Sequence, residues 1–297
     1  MPEVDPPYRG RFAPSPTGPL HLGSLIAALA SYLDARYHEG AWLVRMEDLD
    51  PPREEPGAAL SILDSLQHHG LHHDEDVTFQ GRRGPAYAAA LQALQAGGHL
   101  FNCDCTRQML GPGGACRGHC RERQEQLNSP TATRVMVPPD SHIGFADQIQ
   151  GWQETPLGSE APDFIVKRKD GLDAYQLAVV VDDAWQGITH IVRGSDLMDS
   201  TPRQIFLQQL LGHATPIYSH IPVITDASGQ KFSKQNHAPA LIDGNAAANL
   251  RAALGFLNQE RPPAALRGTA QILDFAISHW ASANVPRLMS APTTHLA

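Results

Sequence analysis

RGRFAPSPTGPLHLGSLIAALASYLDAR, residues 9–36, is the stretch that decides the fold. Arg9 to Ala13 reads as a short strand, stopped at Pro14 and Pro16 because proline has no N–H for a ladder. Gly18-Pro19 turns the chain. From Leu22 to Tyr37 apolar residues recur at helical spacing (Leu22, Leu25, Ile26, Leu29, Leu33), which predicts a helix. Gly40 closes that helix, and Ala41 to Met46 reads as a second strand. A strand, a helix and a strand in so short a span make a βαβ unit, with parallel strands and a right-handed crossover. The helix opens at His21-Leu22-Gly23-Ser24, where free N–H groups and the positive dipole end attract phosphate. Gly23 has no side chain to hold a nucleotide off the backbone. His21 can donate to a phosphoryl oxygen as charge develops on it.

Working outward, two further helices are expected at about residues 56–69 and 85–97. Between Leu100 and Ile188 short β-like runs, such as Arg134 to Val137 and Phe164 to Arg168, alternate with turn residues, as in an inserted segment. Ile188 to Val192 returns to a buried-strand pattern. Pro202 to Leu211 reads as a helix ended by Gly212, and Ile217 to Ile224 as one more strand. A polar loop follows, containing Lys231-Phe232-Ser233-Lys234-Gln235. From Ala238 the chain is alanine-rich and helical, then frays into a Pro/Thr tail. Two lysines on a loop can neutralise charge passing to a leaving pyrophosphate. Taken alone, such a loop is more often a solvated one.

The four cysteines, Cys103, Cys105, Cys116 and Cys120, all lie within one short segment. A disulfide framework would spread them along the chain. Four thiolates in C-x-C…C-x₃-C spacing suit a closed, structural Zn²⁺ site. Free thiols or a redox pair are the alternatives, and His119 is a lesser candidate ligand. With 42% hydrophobic and 18% charged residues, the composition is that of a globular protein. No apolar run is as long as a membrane span, and Met1 to Gly10 lacks the pattern of a signal peptide, so a cytoplasmic location is expected. The formal net charge of −8 argues against strong non-specific binding to nucleic acid, which needs many cationic contacts. A nucleic-acid partner would have to be recognised by shape and specific contacts.

Taken together, PSPTGPLHLGS and the KFSKQ loop resemble the HIGH and KMSKS segments of class I glutamyl- and glutaminyl-tRNA synthetases. The second histidine of HIGH is here Ser24, which donates a hydrogen bond but carries no charge. The resemblance implies an α/β fold, Rossmann-like and nucleotide-binding, with a zinc-containing α+β insertion and a short helical C-terminal region. Residues 8–98 and 188–237 would form the two halves of the catalytic domain, 99–187 the insertion, and 238–297 the helical region. It implies catalytic roles for His21, Gly23, Ser24, Lys231 and Lys234, with Lys234 as the main triphosphate contact and His21, Gly23 and Lys234 at ATP. It places glutamate against Arg11, Phe12, Ala13, Pro14, Ser15, Glu47, Tyr175 and Arg193. Arginine grips a carboxylate with two parallel hydrogen bonds, and Glu47 can accept from an ammonium.

The strings HLGSLIAAL, MEDLDPPRE and SKQNHAPAL look like a shortened paralogue of glutamyl-tRNA synthetase that passes glutamate to the queuosine base of tRNA(Asp). Only about sixty residues follow the KFSKQ loop, too few for an anticodon-binding region. The expected substrates and partners are L-glutamate, ATP with Mg²⁺, and queuosine-containing tRNA(Asp), for a monomer with one structural Zn²⁺ and no membrane association. The alternatives are a truncated but ordinary glutamyl-tRNA synthetase and a non-catalytic paralogue that binds glutamate or RNA.

Overall fold

The computed structural model describes residues 6–111, 114, 116, 118–160, 163–226 and 239–292. The opening unit is β1 (Arg9–Phe12), α1 (Leu22–Tyr37) and β2 (Ala41–Met46), with β1 and β2 parallel. Next come α2 (Ala58–His68), β3 (Thr78–Phe79), which pairs parallel to β2, and α3 (Gly84–Ala96). A three-stranded antiparallel sheet follows, in the order β4 (Leu100–Cys103), β5 (Ala132–Val135), β8 (Ile165–Lys167), with the short α4 (Arg107–Leu110) beside it. Within the same span lie β6 (Ile143–Asp147), β7 (Gly151–Thr155) and α5 (Leu157–Glu160). The chain then runs through α6 (Tyr175–Trp185), β9 (His190–Gly194), α7 (Thr201–Leu211), β10 (Ile217–Ile221) and β11 (Val223–Thr225). It ends with α8 (Ala246–Phe256), α9 (Thr269–Ser278) and β12 (Ser290–Pro292).

Two groups of parallel strands meet at β1 and β9. On one side are β1, β2 and β3; on the other the order is β9, β10, β6, β7, parallel except for the edge strand β7. Thr189 N–H, just before β9, donates to the Arg9 carbonyl at 3.0 Å. Arg11 and Arg193, farther along the two strands, face the same cavity. Strand order therefore leads away from the β1/β9 seam on both sides, β1 to β2 to β3 on one and β9 to β10 on the other. In open α/β sheets ligands bind at the carboxyl ends of the strands beside such a reversal.

Helix α1 is buried nearly all round, from Leu25 to Ala35. Its Leu29 and Leu33 share a core with Trp42 and Val44 of β2 and with Leu250, Leu254, Ile272 and Trp280 from the end of the chain. Asp34 on this helix accepts from the Tyr8 hydroxyl at 2.5 Å and from Trp280 Nε1 at 2.9 Å, tying both ends of the chain to α1. A second core, with Leu43, Tyr87, Leu177, Val180, Ile191 and Phe206, fills the opposite face of the sheet.

Three local expectations from sequence are modified. Pro222 divides the strand expected over residues 217–224 into β10 and β11, since it has no N–H to donate. Part of the segment set apart as residues 99–187 is built into the main body: β6 pairs with β10, and α6 packs on the central sheet through Leu177 and Val180. The tail does not simply fray, because β12 pairs parallel with β11 in the register Val223↔Ser290, Ile224↔Ala291, Thr225↔Pro292. The expected KFSKQ loop, with Lys231 and Lys234, lies outside the described residues. Among those described, no helix is long and apolar enough to cross a membrane.

Candidate active site

A cavity of about 480 Å³ opens at the carboxyl ends of β1, β9 and β10. Its walls gather segments far apart in sequence: Arg11 to Ser15 at the end of β1 and just beyond it, His21, Gly23 and Ser24 at the start of α1, Glu47 after β2, Tyr175 at the start of α6, and Arg193 on β9. All of the expected nucleotide and glutamate residues within the described chain are thus in one place.

The α1 N-terminus is capped by its own histidine. Ser24 N–H donates to His21 Nδ1 at 3.3 Å, so Nδ1 holds a lone pair, and a neutral ring carries its proton on Nε2, 3.1 Å from Ser24 Oγ. One donor that the sequence suggested for phosphate is therefore occupied by His21 here. Gly23 sits tightly: a Cβ there would lie 3.1 Å from both the His21 ring and Ile224. Behind this turn Ala240 bridges to His21, and Leu241 N–H donates to the Leu20 carbonyl at 2.9 Å. Ile224 on β11 lines the cavity. The described residues on both sides of the KFSKQ segment therefore reach the turn that holds His21.

Deeper in, the charges are arranged in order. Asp183 on α6 accepts from Arg11 Nε at 3.1 Å and Nη2 at 3.3 Å, and from Arg45 at 2.8 Å. All three are buried. Burial alone would raise the Asp183 carboxyl, but Arg11 and Arg45 hold it below the usual range. Arg45 also donates to Gln186 Oε1 at 2.7 Å and lies 3.8 Å from Glu47. Glu47 is 10% exposed. Burial pushes its carboxyl up to about 7, although Arg45 and Arg11 pull in the other direction. Burial likewise raises the Tyr175 phenol, with the nearby Glu47 adding to the effect.

Arg193 is held differently. Its Nε donates to His220 Nε2 at 3.0 Å and its Nη2 to Thr201 Oγ1 at 2.6 Å, while its Nη1 is buried with no hydrogen-bond partner among the described residues. His220 in turn faces Asp147 at 2.6 Å.

The cysteine cluster lies apart from this cavity. The sulfur atoms of Cys103, Cys105, Cys116 and Cys120 are all within 4.8 Å of one another, and all four residues are buried. A tetrahedron of sulfurs about 2.3 Å from a zinc ion has edges of about 3.8 Å, so the set fits such an ion. His119 is not among the clustered donors. Lys169 fastens the module to the body by donating to the carbonyls of Asp104 at 2.7 Å and Cys105 at 2.9 Å.

Several residues of this site carry no motif signal. Asp183, Thr201, His220 and Asp147 escaped the sequence reading, although two adjacent aspartates ending the apolar run LAVVV could have marked a buried acid. Its neighbour Asp182 is indeed buried, accepting from Gln80, Arg83 and Tyr87.

A model of the catalytic domain of tRNA synthetases class I (E and Q) matches residues 8–247 of this sequence. The chain belongs to that family. Within it, the curated protein named glutamyl-Q tRNA(Asp) synthetase of Thiobacillus denitrificans is 54% identical over 286 residues, covering 93% of this chain and 94% of that one. The protein of the same name in Pseudomonas aeruginosa strain PAO1 is 49% identical, covering 97% and 99%. Among solved structures, the glutamate-tRNA synthetase of Elizabethkingia anophelis matches with a TM-score of 0.79 at 22% identity, over 97% of this chain and 68% of that one. That likeness is one of fold.

Proposed function

We propose that this class I synthetase activates L-glutamate with ATP and passes the glutamyl group to the queuosine base of tRNA(Asp). The observation that carries the first half is the cavity in which a carboxylate only 10% exposed, Glu47, and two buried arginines, Arg11 and Arg193, converge beside the start of α1. A zwitterion with a second carboxylate matches that charge pattern. The second half rests on relatives that share about half their residues with this chain over nearly its whole length.

In the first step a carboxylate oxygen of glutamate attacks the α-phosphorus of ATP. The bond from that phosphorus to the bridging oxygen breaks, and pyrophosphate leaves with Mg²⁺. Glu47 accepts from the α-ammonium, with Tyr175 beside it, while Arg11 and Arg193 hold carboxylates and Phe12 to Ser15 shape the wall. His21 turns its Nε2–H from Ser24 to a phosphoryl oxygen, and Gly23 lets the triphosphate approach the backbone. Lys231 and Lys234 supply positive charge to the leaving pyrophosphate. In the second step a hydroxyl of the queuosine cyclopentene ring attacks the acyl carbon, the bond to the adenylate oxygen breaks, and AMP departs.

Residues 8–98 and 188–237, together with β6 and α6 from the segment between them, supply the catalytic body. The four cysteines hold one Zn²⁺, which cross-links the module between them and takes no part in the chemistry, because four thiolates leave no open position.

The test is to incubate the protein with labelled glutamate, ATP, Mg²⁺ and tRNA from cells that make queuosine or cells that cannot. Label confined to queuosine-containing tRNA supports the proposal. Equal label on both would show charging of the ordinary 3′ end, and no glutamate-dependent pyrophosphate exchange would show a non-catalytic binder.

A further inference from the structure

The two arginines of the cavity are fastened by opposite means. Arg11 donates to both oxygens of Asp183, so a fixed anion already compensates its charge. Arg193, equally buried, donates only to neutral groups: the His220 ring, the Thr201 hydroxyl and, at 3.5 Å, the Leu197 carbonyl. Its face also lies over the Tyr218 ring, 5.2 Å from the centroid. Among the described residues its Nη1 has no partner, although the residue is only 4% exposed. A buried guanidinium with an unsatisfied donor is costly unless a ligand completes it.

The scaffold depends on which nitrogen of His220 carries the proton. Asp147 Oδ2 lies 2.6 Å from His220 Nδ1, and the same carboxylate accepts the backbone N–H of His220, Ile149 and Gln150. Burial alone would raise the Asp147 carboxyl, but those bonds keep it ionised, below the usual range. An ionised Asp147 fixes the proton on Nδ1, and Nε2 then presents its lone pair to Arg193. Burial and the neighbouring Arg193 oppose a second proton on that ring. Thr201 completes the arrangement by accepting from Arg193 while lying 3.3 Å from the Leu197 carbonyl, to which it can donate.

We propose that His220 and Thr201, with Asp147 behind His220, are positioning residues that hold Arg193 through neutral acceptors and leave its charge to a substrate carboxylate. This inference rests on the glutamate-activating reading above. None of the three reaches the reacting atoms; each acts through the guanidinium.

Glutamate-dependent pyrophosphate exchange tests it. Thr201→Val removes the acceptor without changing shape, and KM for glutamate should rise about tenfold while KM for ATP stays within twofold. Thr201→Ser, which keeps the hydroxyl, should stay within twofold of the wild type for both. Asp147→Asn should act like Thr201→Val, because an amide donor at Nδ1 moves the ring proton to Nε2 and sets it against Arg193. The deciding measurement repeats Thr201→Val and Asp147→Asn in an Arg193→Lys background. Lysine has no fork for His220 and Thr201 to hold, so neither substitution should raise KM for glutamate further there. An undiminished penalty in that background, or an equal rise in KM for ATP, would overturn the positioning role. Absence of exchange in the wild-type protein would instead remove the reading on which it stands.

Discussion

Lowering the pH from 8 to 6 should weaken this protein's hold on glutamate about tenfold, and Glu47 should account for the loss. Its carboxyl titrates at about 7 in the ligand-free cavity, because burial outweighs the pull of Arg45 and Arg11. Only the ionised form offers the substrate ammonium an opposite charge. With a pKa of about 7 the ionised share is roughly nine-tenths at pH 8 and one-tenth at pH 6, so apparent affinity falls by a factor of about ten. The sign for stability runs the other way. Folding raises this pKa from 4.5, so its contribution is fully present below about pH 4.5 and is lost as pH rises through 7. That amounts to a cost on the order of 3 kcal/mol in the empty protein above pH 8, which bound glutamate offsets. The assay is KM for glutamate in pyrophosphate exchange at saturating ATP, with glutamate-induced shifts in melting temperature measured in parallel. Both are compared with Glu47→Gln, which cancels contributions from the histidines. The wild type should show the tenfold change and a larger melting shift at pH 8 than at pH 6, whereas Glu47→Gln should bind weakly and show neither. A flat wild-type profile, or the same slope in both proteins, would refute the reasoning.

Other substitutions probe the supports of the cavity. Asp183→Ala leaves Arg11 and Arg45 buried without their carboxylate and should cost about 3–5 kcal/mol in urea unfolding. Because the folded pKa of Asp183 is depressed, that contribution is present above about pH 4 and lost below it, so the cost should be equal at pH 6 and 8. Gly23→Ala crowds His21 and Ile224 and should raise KM for ATP more than KM for glutamate in exchange assays. Elemental analysis should find one zinc per chain, and Cys105→Ser should abolish it. Its effect should be larger on transfer to tRNA than on pyrophosphate exchange, because the cysteine module lies apart from the cavity.

The parts of this protein that could be read from its sequence are those whose signals are local. β1, α1 and β2 announce themselves by periodicity and by the Pro/Gly turn between them. The charged residues of the cavity sit inside recognisable strings. What escaped depends on partners distant in sequence. Helix α6 is hidden because its Leu177 to Val181 run is apolar on successive residues and shows no polar face; the helix is buried against the sheet. His220 gives no sign of its role within a strand, since its partner Asp147 lies 73 residues earlier. Ser290 to Pro292 has no strand-forming composition, and its place in the fold comes from backbone pairing with β11.

That last pairing bears on timing. Val223 and Ile224 line the cavity, yet the strand that carries them is completed by residues 290–292. The cavity's far side is buttressed there too, since Ser195 donates to the Met289 carbonyl and Gln150 to that of Leu288. A ribosome delivers a chain from its N-terminus, so β1 and α1 emerge first and wait for this wall. A chain that had passed Thr225 but not yet reached Ser290 would carry Arg11, Glu47 and Arg193 and still lack this wall. The wall of the cavity is thus finished only once the chain has grown 67 residues past the strand that lines it, the separation of Val223 from its partner Ser290.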